Sequence, residues 1–432
     1  MVGHGRLTRR GFLKGAAAAL GAPYVLTPGV LAAPGRRGAN DRLNVASIGV
    51  RNMGGNHFKT VLGRANVQLV AICDVDRKIR EQRLSQAYQV YADRVRGGTF
   101  KGTKAYNDSR EVIARADVDA VVIATPDQWH APLAVAALRA GKDVYVEKPM
   151  TLTIREGREM IDAVRRNNRI LQVGTQRRSS SSVRYACELV RNGRIGKLLR
   201  VETGLPTRPS KVVTVQHEPV PDELDYDRWL GPAPWAPYTK NRCHYNFRFV
   251  RDYSGGEMTN TGAHWFDIVQ WGVGADGSGP VEVEGTGQMH DQGFWNTFHH
   301  VHVEWTYANG VKHVCTNQGS VKFIGTEGWI TGDARQAQPA SILKSKIGPN
   351  EVHLYESQGG GHLGNFLHCV RTREEPAAPV EVGHRSATVC HMGNIAMLLQ
   401  RKLTWDPVKQ EFPGDDEANR MMWRPCREPW GL

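Results

Sequence analysis

Between Arg42 and about Arg165 the chain alternates two kinds of segment. Near-continuous apolar runs recur: "LNVASIGV", "VQLVAICDVD", "VDAVVIATP" and "KDVYVEKP". Short runs rich in Val and Ile suit strands covered on both faces, as in a parallel sheet. The stretches between them predict helices over 54–63, 77–92, 108–115 and 130–140. The last ends at Gly141, which suits a left-handed cap. Thr153-Ile154-Arg155-Glu156 has the capping-box pattern and opens a further helix. Strand–helix–strand units in this order predict a doubly wound, Rossmann-like α/β domain, placed at 41–165.

After Gln172 the rhythm changes. A helix is predicted near 181–192, followed by a long excursion, 205–253, that contains several Pro and Trp residues. Alternating segments then take over, such as "HHVHVEWTYANGVKHVCTN", in which Asn309-Gly310 is a strong hairpin signal. Helical patterns around 362–372 and 384–401 close the chain. This half, 166–432, reads as an α+β domain with a mainly antiparallel open sheet and helices on one side. No internal repeat and no transmembrane span is visible.

Composition modifies the picture at the N-terminus. Residues 1–33 combine a basic start, an apolar middle and a small-residue end at Ala32-Ala33, the build of a cleavable export signal. Thr8-Arg9-Arg10-Gly11-Phe12-Leu13-Lys14 resembles the twin-arginine signal, which predicts an exported, periplasmic protein with no membrane insertion after processing. The competing reading is a basic tail before a short buried helix. Removing Arg6, Arg9, Arg10 and Lys14 lowers the formal charge from +13 to +9. The remaining Lys and Arg are scattered and not interleaved with stacking aromatics, so nucleic acid is not an expected partner. The 7 cysteines are widely spaced and odd in number, which argues against a disulfide framework.

"IGVRNMGG" follows the first strand, where a dinucleotide-binding loop belongs. Gly49 and Gly54 fill the outer positions of G-x-G-x-x-G, but Arg51 takes the middle one. Arg51 fits there if its side chain turns outward, and it could also meet a phosphate. Asn52 and Met53 complete the loop. Asp74 ends the second strand, where an acid accepts hydrogen bonds from ribose hydroxyls and repels a 2′-phosphate, favouring NAD over NADP. The plainer alternative makes Asp74 a helix cap and the glycines turn formers. "EKP", Glu147-Lys148-Pro149, ends the strand of "KDVYVEKP" at the same predicted edge. Pro149 restricts Lys148 to extended backbone angles and so aims its amine.

At these residues the chain resembles the Gfo/Idh/MocA oxidoreductases, the family of glucose–fructose oxidoreductase and inositol dehydrogenase. The resemblance rests on "TPDQWH" (125–130), "AGKDVYVEKPM" (140–150) and "GGEMTNTGAHWFD" (255–267), and extends over nearly all the exported chain. It implies bound NAD(P), sugar or cyclitol substrates, and a broad sheet that makes homo-oligomer contacts. It makes Lys148 the catalytic lysine and places Thr125, Pro126, His130 and Glu147 beside the cofactor. Asn260 and His264, four apart, share a helix face. Many relatives have aspartate at the position of Asn260, so here the residue is expected to orient the imidazole without supplying charge, leaving His264 a weaker base.

Gln176, Arg178, Tyr245 and Arg248 are further candidates for the substrate pocket, the last two within an excursion whose aromatics could equally pack on one another. His300, His302 and Glu304 share one strand face, read as the wet or subunit-facing side of a sheet; no metal is expected. The leading expectation is an exported NAD-dependent dehydrogenase of a sugar, cyclitol or derivative, with a tightly held cofactor. His264 and Lys148 would remove the hydroxyl proton as hydride leaves carbon. The alternatives are an NAD-dependent glycosidase or lyase that works by transient oxidation and elimination, and a non-catalytic nucleotide- or sugar-binding protein.

Overall fold

The computed structural model describes residues 42–431 except 99 and 291; the export signal expected at 1–33 lies outside the described residues. In chain order the first half contains β1 (Leu43–Ile48), α1 (Asn52–Leu62), β2 (Val67–Cys73), α2 (Arg77–Arg96), β3 (Lys104–Tyr106) and α3 (Ser109–Ile113). These are followed by β4 (Ala120–Ile123), α4 (His130–Arg139), β5 (Asp143–Val146), α5 (Ile154–Asn167) and β6 (Leu171–Val173). The six strands form one parallel sheet in the order β3-β2-β1-β4-β5-β6. The four apolar runs are its four central strands. Their side chains alternate between two cores: Val144 and Val146 face one, Tyr145 the other.

Register sets the functional edge. Ile48 pairs with both Cys73 and Ile123, and Ile123 pairs with Val146. The residues that follow, Gly49, Asp74, Ala124 and Glu147, therefore emerge together at the carboxyl ends of the strands. The strand order reverses between β1 and β4, which opens a crevice there. Thr153 and Glu156 form the capping box that starts α5, and Gly141 takes the left-handed conformation (φ 77°) after α4.

The second half contains α6 (Ser181–Arg191), β7 (Leu198–Gly204), α7 (Tyr226–Leu230), α8 (Glu257–Asn260), α9 (Gly262–Val273), β8 (Pro280–Gln288), β9 (His300–Tyr307) and β10 (Lys312–Thr316). Then come β11 (Lys322–Gly325), β12 (Trp329–Thr331), β13 (Ala337–Gln338), α10 (His362–Thr372), α11 (Val380–Leu399) and β14 (Leu403–Thr404). The eight strands order as β13-β12-β11-β7-β10-β9-β8-β14, and only the β7–β10 pair among them is parallel. One face buries Val303 and Trp305 against α9 and α11. On β9, His300 and His302 point outward and Glu304 pairs with Lys312, the arrangement of a solvent- or subunit-facing strand. No helix among the described residues is long and apolar enough to cross a membrane.

Two expectations shift. A boundary at 165 would cut α5 and exclude β6, which belongs to the parallel sheet. From α10, Leu363, Phe366 and Leu367 also join the core of that sheet, so a distant segment covers the nucleotide half. The last long helix begins at Val380, directly after Pro379, four residues earlier than its apolar pattern indicates.

Candidate active site

A cleft opens at the carboxyl edge of the parallel sheet. Gly49, Arg51, Asn52 and Met53 line it from the first loop, Asp74 and Asp76 from the end of β2, and Thr125, Pro126, Asp127 and His130 from the turn after β4. Glu147 and Lys148 line it from β5, while His244, Phe247 and Arg248 come from the 205–253 excursion.

The first loop fits a dinucleotide. Gly49 has φ 76°, and a Cβ there would lie 2.6 Å from the carbonyl oxygen of Ala124; a Cβ on Gly54 would lie 1.9 Å from that of Gly49. Only bare backbone allows the N-terminus of α1 to close against β1 and β4, leaving helix N–H groups facing the cleft. Thr125 lines the same space with a buried hydroxyl that has no protein partner. Arg51 does turn aside: its guanidinium meets Asp76 at 3.2 Å and His244 Nδ1 at 2.9 Å, tying the loop to the excursion.

Asp74 accepts hydrogen bonds from the N–H groups of Val50 (2.9 Å) and Asp76 (3.0 Å). Burial pushes its pKa up and those two bonds oppose the push. Each oxygen keeps a second lone pair. Asp76, not Asp74, caps the next helix, accepting from Ile79 N at 3.2 Å.

Lys148 projects from the cis Lys148–Pro149 junction, and its Nζ donates to the backbone O and the side-chain Oδ1 of Asn260, each at 3.0 Å. Burial, with help from neighbouring Arg248, holds its pKa below the ordinary lysine value against the pull of Glu147 and Asp127. Glu147, the residue before Lys148, is buried, and its Oε2 accepts from the Lys148 backbone N–H at 3.1 Å. Its Oε1 lies 2.8 Å from His57 Nε2 and accepts from Gln176 Nε2 at 2.7 Å. Burial alone would raise the Glu147 pKa, but the His57 contact holds it below the usual value. His130 is pinned between two carbonyl groups, those of Pro149 (2.6 Å) and Thr125 (2.9 Å), so it braces the cleft wall.

Several expectations are corrected here. Asn260 does not orient His264; its amide holds Lys148 and also accepts from Arg248 Nε at 3.3 Å. The backbone stays helical through Thr261 (φ −77°, ψ −39°), but His264 N bonds to Thr261 O (3.1 Å) and the Asn260 carbonyl is taken by Lys148. His264 is nonetheless a weak base: burial first, then Lys148, lowers its pKa to about 3, and its buried Nδ1 has no partner. Gln176 supports Glu147 and does not line the cleft. Arg178 is also withdrawn from any substrate: 3% exposed, it forms ion pairs with Asp267 (2.8 Å) and Asp276 (2.7 Å). Tyr245 lies just outside the lining, its ring 4.6 Å from the Arg248 guanidinium carbon. Its neighbours Trp229, Tyr238, Phe247 and Tyr253 pack into a cluster of their own.

The excursion matters as a roof. Its backbone bonds Arg77 N to Glu223 O (2.8 Å) and Asp225 N to Val75 O (3.0 Å), and Trp129 Nε1 donates to Arg228 O (3.0 Å). Trp430, near the C-terminus, stacks edge-on against Trp129 and lines the cleft. Sequence reasoning missed His57, Asp127, Glu257 and Trp430. Asp127 and Glu257 stood inside quoted motifs, whereas nothing local connects His57 or Trp430 with the site.

Residues 43–175 match a family profile described as "Oxidoreductase family, NAD-binding Rossmann fold", and residues 182–432 match its companion, "Oxidoreductase family, C-terminal alpha/beta domain". The chain belongs to the Gfo/Idh/MocA oxidoreductase family. A glycosyl hydrolase family 109 protein of Shewanella baltica is 29% identical over 162 residues, covering 38% of this chain and 34% of that relative. Another of that description, from Shewanella amazonensis, is 33% identical over 215 residues, 45% of each chain. The chain thus matches about a third to under half the length of these curated relatives. The WlbA dehydrogenase of Bordetella pertussis, solved with NADH and UDP-GlcNAcA, superposes with a TM-score of 0.60 at 16% identity, covering 84% of this chain and 99% of that one. At that identity the likeness is one of fold.

Proposed function

We propose that this Gfo/Idh/MocA protein oxidises or reduces a sugar, cyclitol or sugar derivative, with Lys148 as its acid–base group and NAD as its tightly held cofactor. The observation that carries the reading is the convergence, at one sheet edge, of a glycine-lined loop and a buried amine of lowered pKa. Gly49, Asn52, Met53 and Gly54 would hold the pyrophosphate, Asp74 the ribose, and Thr125 and Pro126 the wall beside the nicotinamide. Bound NAD supplies a hydride acceptor. A second-strand acid favours NAD over NADP.

Lys148 takes up the hydroxyl proton in the oxidising direction, because a depressed pKa leaves more neutral amine near neutral pH. His264, neutral under the same conditions, is buried beside Lys148 with its Nδ1 closed off from the cleft, so the proton transfer is left to the amine. Asn260 fixes the amine, and Arg248 stands beside it to contact substrate oxygens.

A second reading is favoured by the glycosyl hydrolase names of the curated relatives. Oxidation of one hydroxyl would acidify the neighbouring C–H, elimination would release the aglycone, and water addition with re-reduction would return the cofactor unchanged. We assign the mature enzyme to the periplasm, on the strength of the twin-arginine pattern in 1–33, and to a homo-oligomer built on the outer face of the second sheet.

Acid release of nucleotide from the purified protein, followed by assays with sugars, cyclitols and aryl glycosides, tests these readings. NADH formed with a sugar or cyclitol supports the dehydrogenase. Aglycone release without net NADH supports the second reading. Neither activity, with nucleotide or sugar bound, would leave a non-catalytic binding protein.

A further inference from the structure

We infer that Glu257 is a positioning residue, acting through Asn260 to hold Lys148 in place and to set the proton affinity of its amine. This rests on the reading of Lys148 as the acid–base group. Glu257 is 2% exposed, and no ion pair joins it to a cation among the described residues. Its carboxylate accepts from Asn260 Nδ2 at 3.3 Å (Oε1) and 3.2 Å (Oε2), and from Thr261 Oγ1 at 2.6 Å.

The geometry fixes which way the amide faces. An asparagine amide has an NH2 group that only donates and an oxygen that only accepts. With Nδ2 against the Glu257 carboxylate, Oδ1 must turn to the opposite side, where it receives Lys148 Nζ at 3.0 Å and Arg248 Nε at 3.3 Å. Rotated by half a turn, the amide would press its oxygen on a carboxylate and its hydrogens on two cations. The negative charge thus lies one residue removed from the amine, and the polarised amide passes its influence on.

Lys148 is faced by charged and titratable groups from five elements. These are Glu147 on its own strand end, Asp127 after β4, Arg248 in the excursion, Glu257 in α8 and His264 in α9. Asp127 accepts no hydrogen bond from the amine and accepts instead from Ser254 Oγ at 2.6 Å, while Glu147 is tied to His57 and Gln176. Glu257 alone among these acids reaches Lys148 through a bridging side chain.

The test needs no substrate. Competitive labelling of the full chain with acetic anhydride, quantified at Lys148 by peptide mass spectrometry across pH, reads the midpoint of the amine directly. Glu257→Gln is expected to lower that midpoint by about one pH unit, since an opposite charge close by favours the protonated amine. The Glu257→Gln/Asn260→Asp double variant puts the carboxylate in direct reach of Lys148. Its midpoint should return to the parent value or above it. A Glu257→Gln midpoint that superimposes on the parent overturns the inference, as does a double variant with a midpoint still below the parent. If Glu257→Gln does not fold, Glu257→Asp, which keeps the charge but withdraws it from Asn260 Nδ2, supplies the deciding measurement: a midpoint below the parent's is expected, and one that matches it overturns the inference. Helix α8 merely needing a carboxylate for folding would lower thermal stability without moving the midpoint. Turnover retained by Lys148→Ala would instead remove the acid–base role and leave the labelling result standing.

Discussion

Gln176 and Arg178 stand two residues apart, and each reaches a partner far away in the chain. Gln176 supports Glu147, and Arg178 spans to Asp267 and Asp276. Replacing Arg178 by Met would leave Asp267, whose side chain is 0% exposed, as an uncompensated buried charge. Loss of about 3–5 kcal/mol is expected, read as a lower denaturant midpoint; an unchanged midpoint would show that the ion pair contributes nothing. The identity of Lys148 was legible because strand, charge and proline adjoin. The partner of Asn260 was not, since its choice between His264 and Lys148 depends on where two sequence-distant elements meet. Weakness of His264 was anticipated, but its cause is burial beside Lys148 and not the missing aspartate charge.

Among the elements, the central strands announced themselves through unbroken apolar runs, because a parallel strand buried on both faces has no polar side to show. Strands β3 and β6, three residues each at the sheet's edges, are too short to carry a period. The loop from β1 to α1 was legible from its glycines, and its tightness gives a sharp expectation. Gly54→Ala would place a methyl 1.9 Å from the Gly49 carbonyl oxygen. Helix α1 would have to retreat, and backbone contact with a pyrophosphate would go with it. Nucleotide content of the purified variant should fall to a small fraction of the parent's while the far-UV circular dichroism persists; full retention would contradict this account of the loop.

For the whole molecule, the two-domain plan was visible in the switch of rhythm, whereas the covering of the first sheet by α10 was not, because an amphipathic helix does not name the surface it will meet. Burial also shapes the response to acid. His264, His313 and His391 titrate at about 3, and His362 and His384 at about 4, all lowered by burial from 6.5. The unfolded chain therefore binds more protons between those values and 6.5, so stability is full above 6.5 and is lost as pH falls toward 4. Glu156, raised by burial to about 7, works the other way between 4.5 and 7, and the buried carboxyls of Asp74, Asp127 and Asp267, raised for the same reason, oppose the histidines above their ordinary 3.8. A melting temperature that falls steadily on acidification from neutral pH is expected, and a flat profile would show the histidines to be solvated.

The central claim is that the Lys148 amine does the acid–base work beside a bound dinucleotide. Its most direct test pairs two measurements on Lys148→Ala: NAD content or affinity, and the rate of hydride transfer with whichever sugar or cyclitol the parent enzyme turns over. Affinity within a few-fold of the parent, together with a rate lowered by about 100-fold or more, is the result expected. Turnover that survives the loss of that amine would contradict the mechanism, however well the fold agrees with its family.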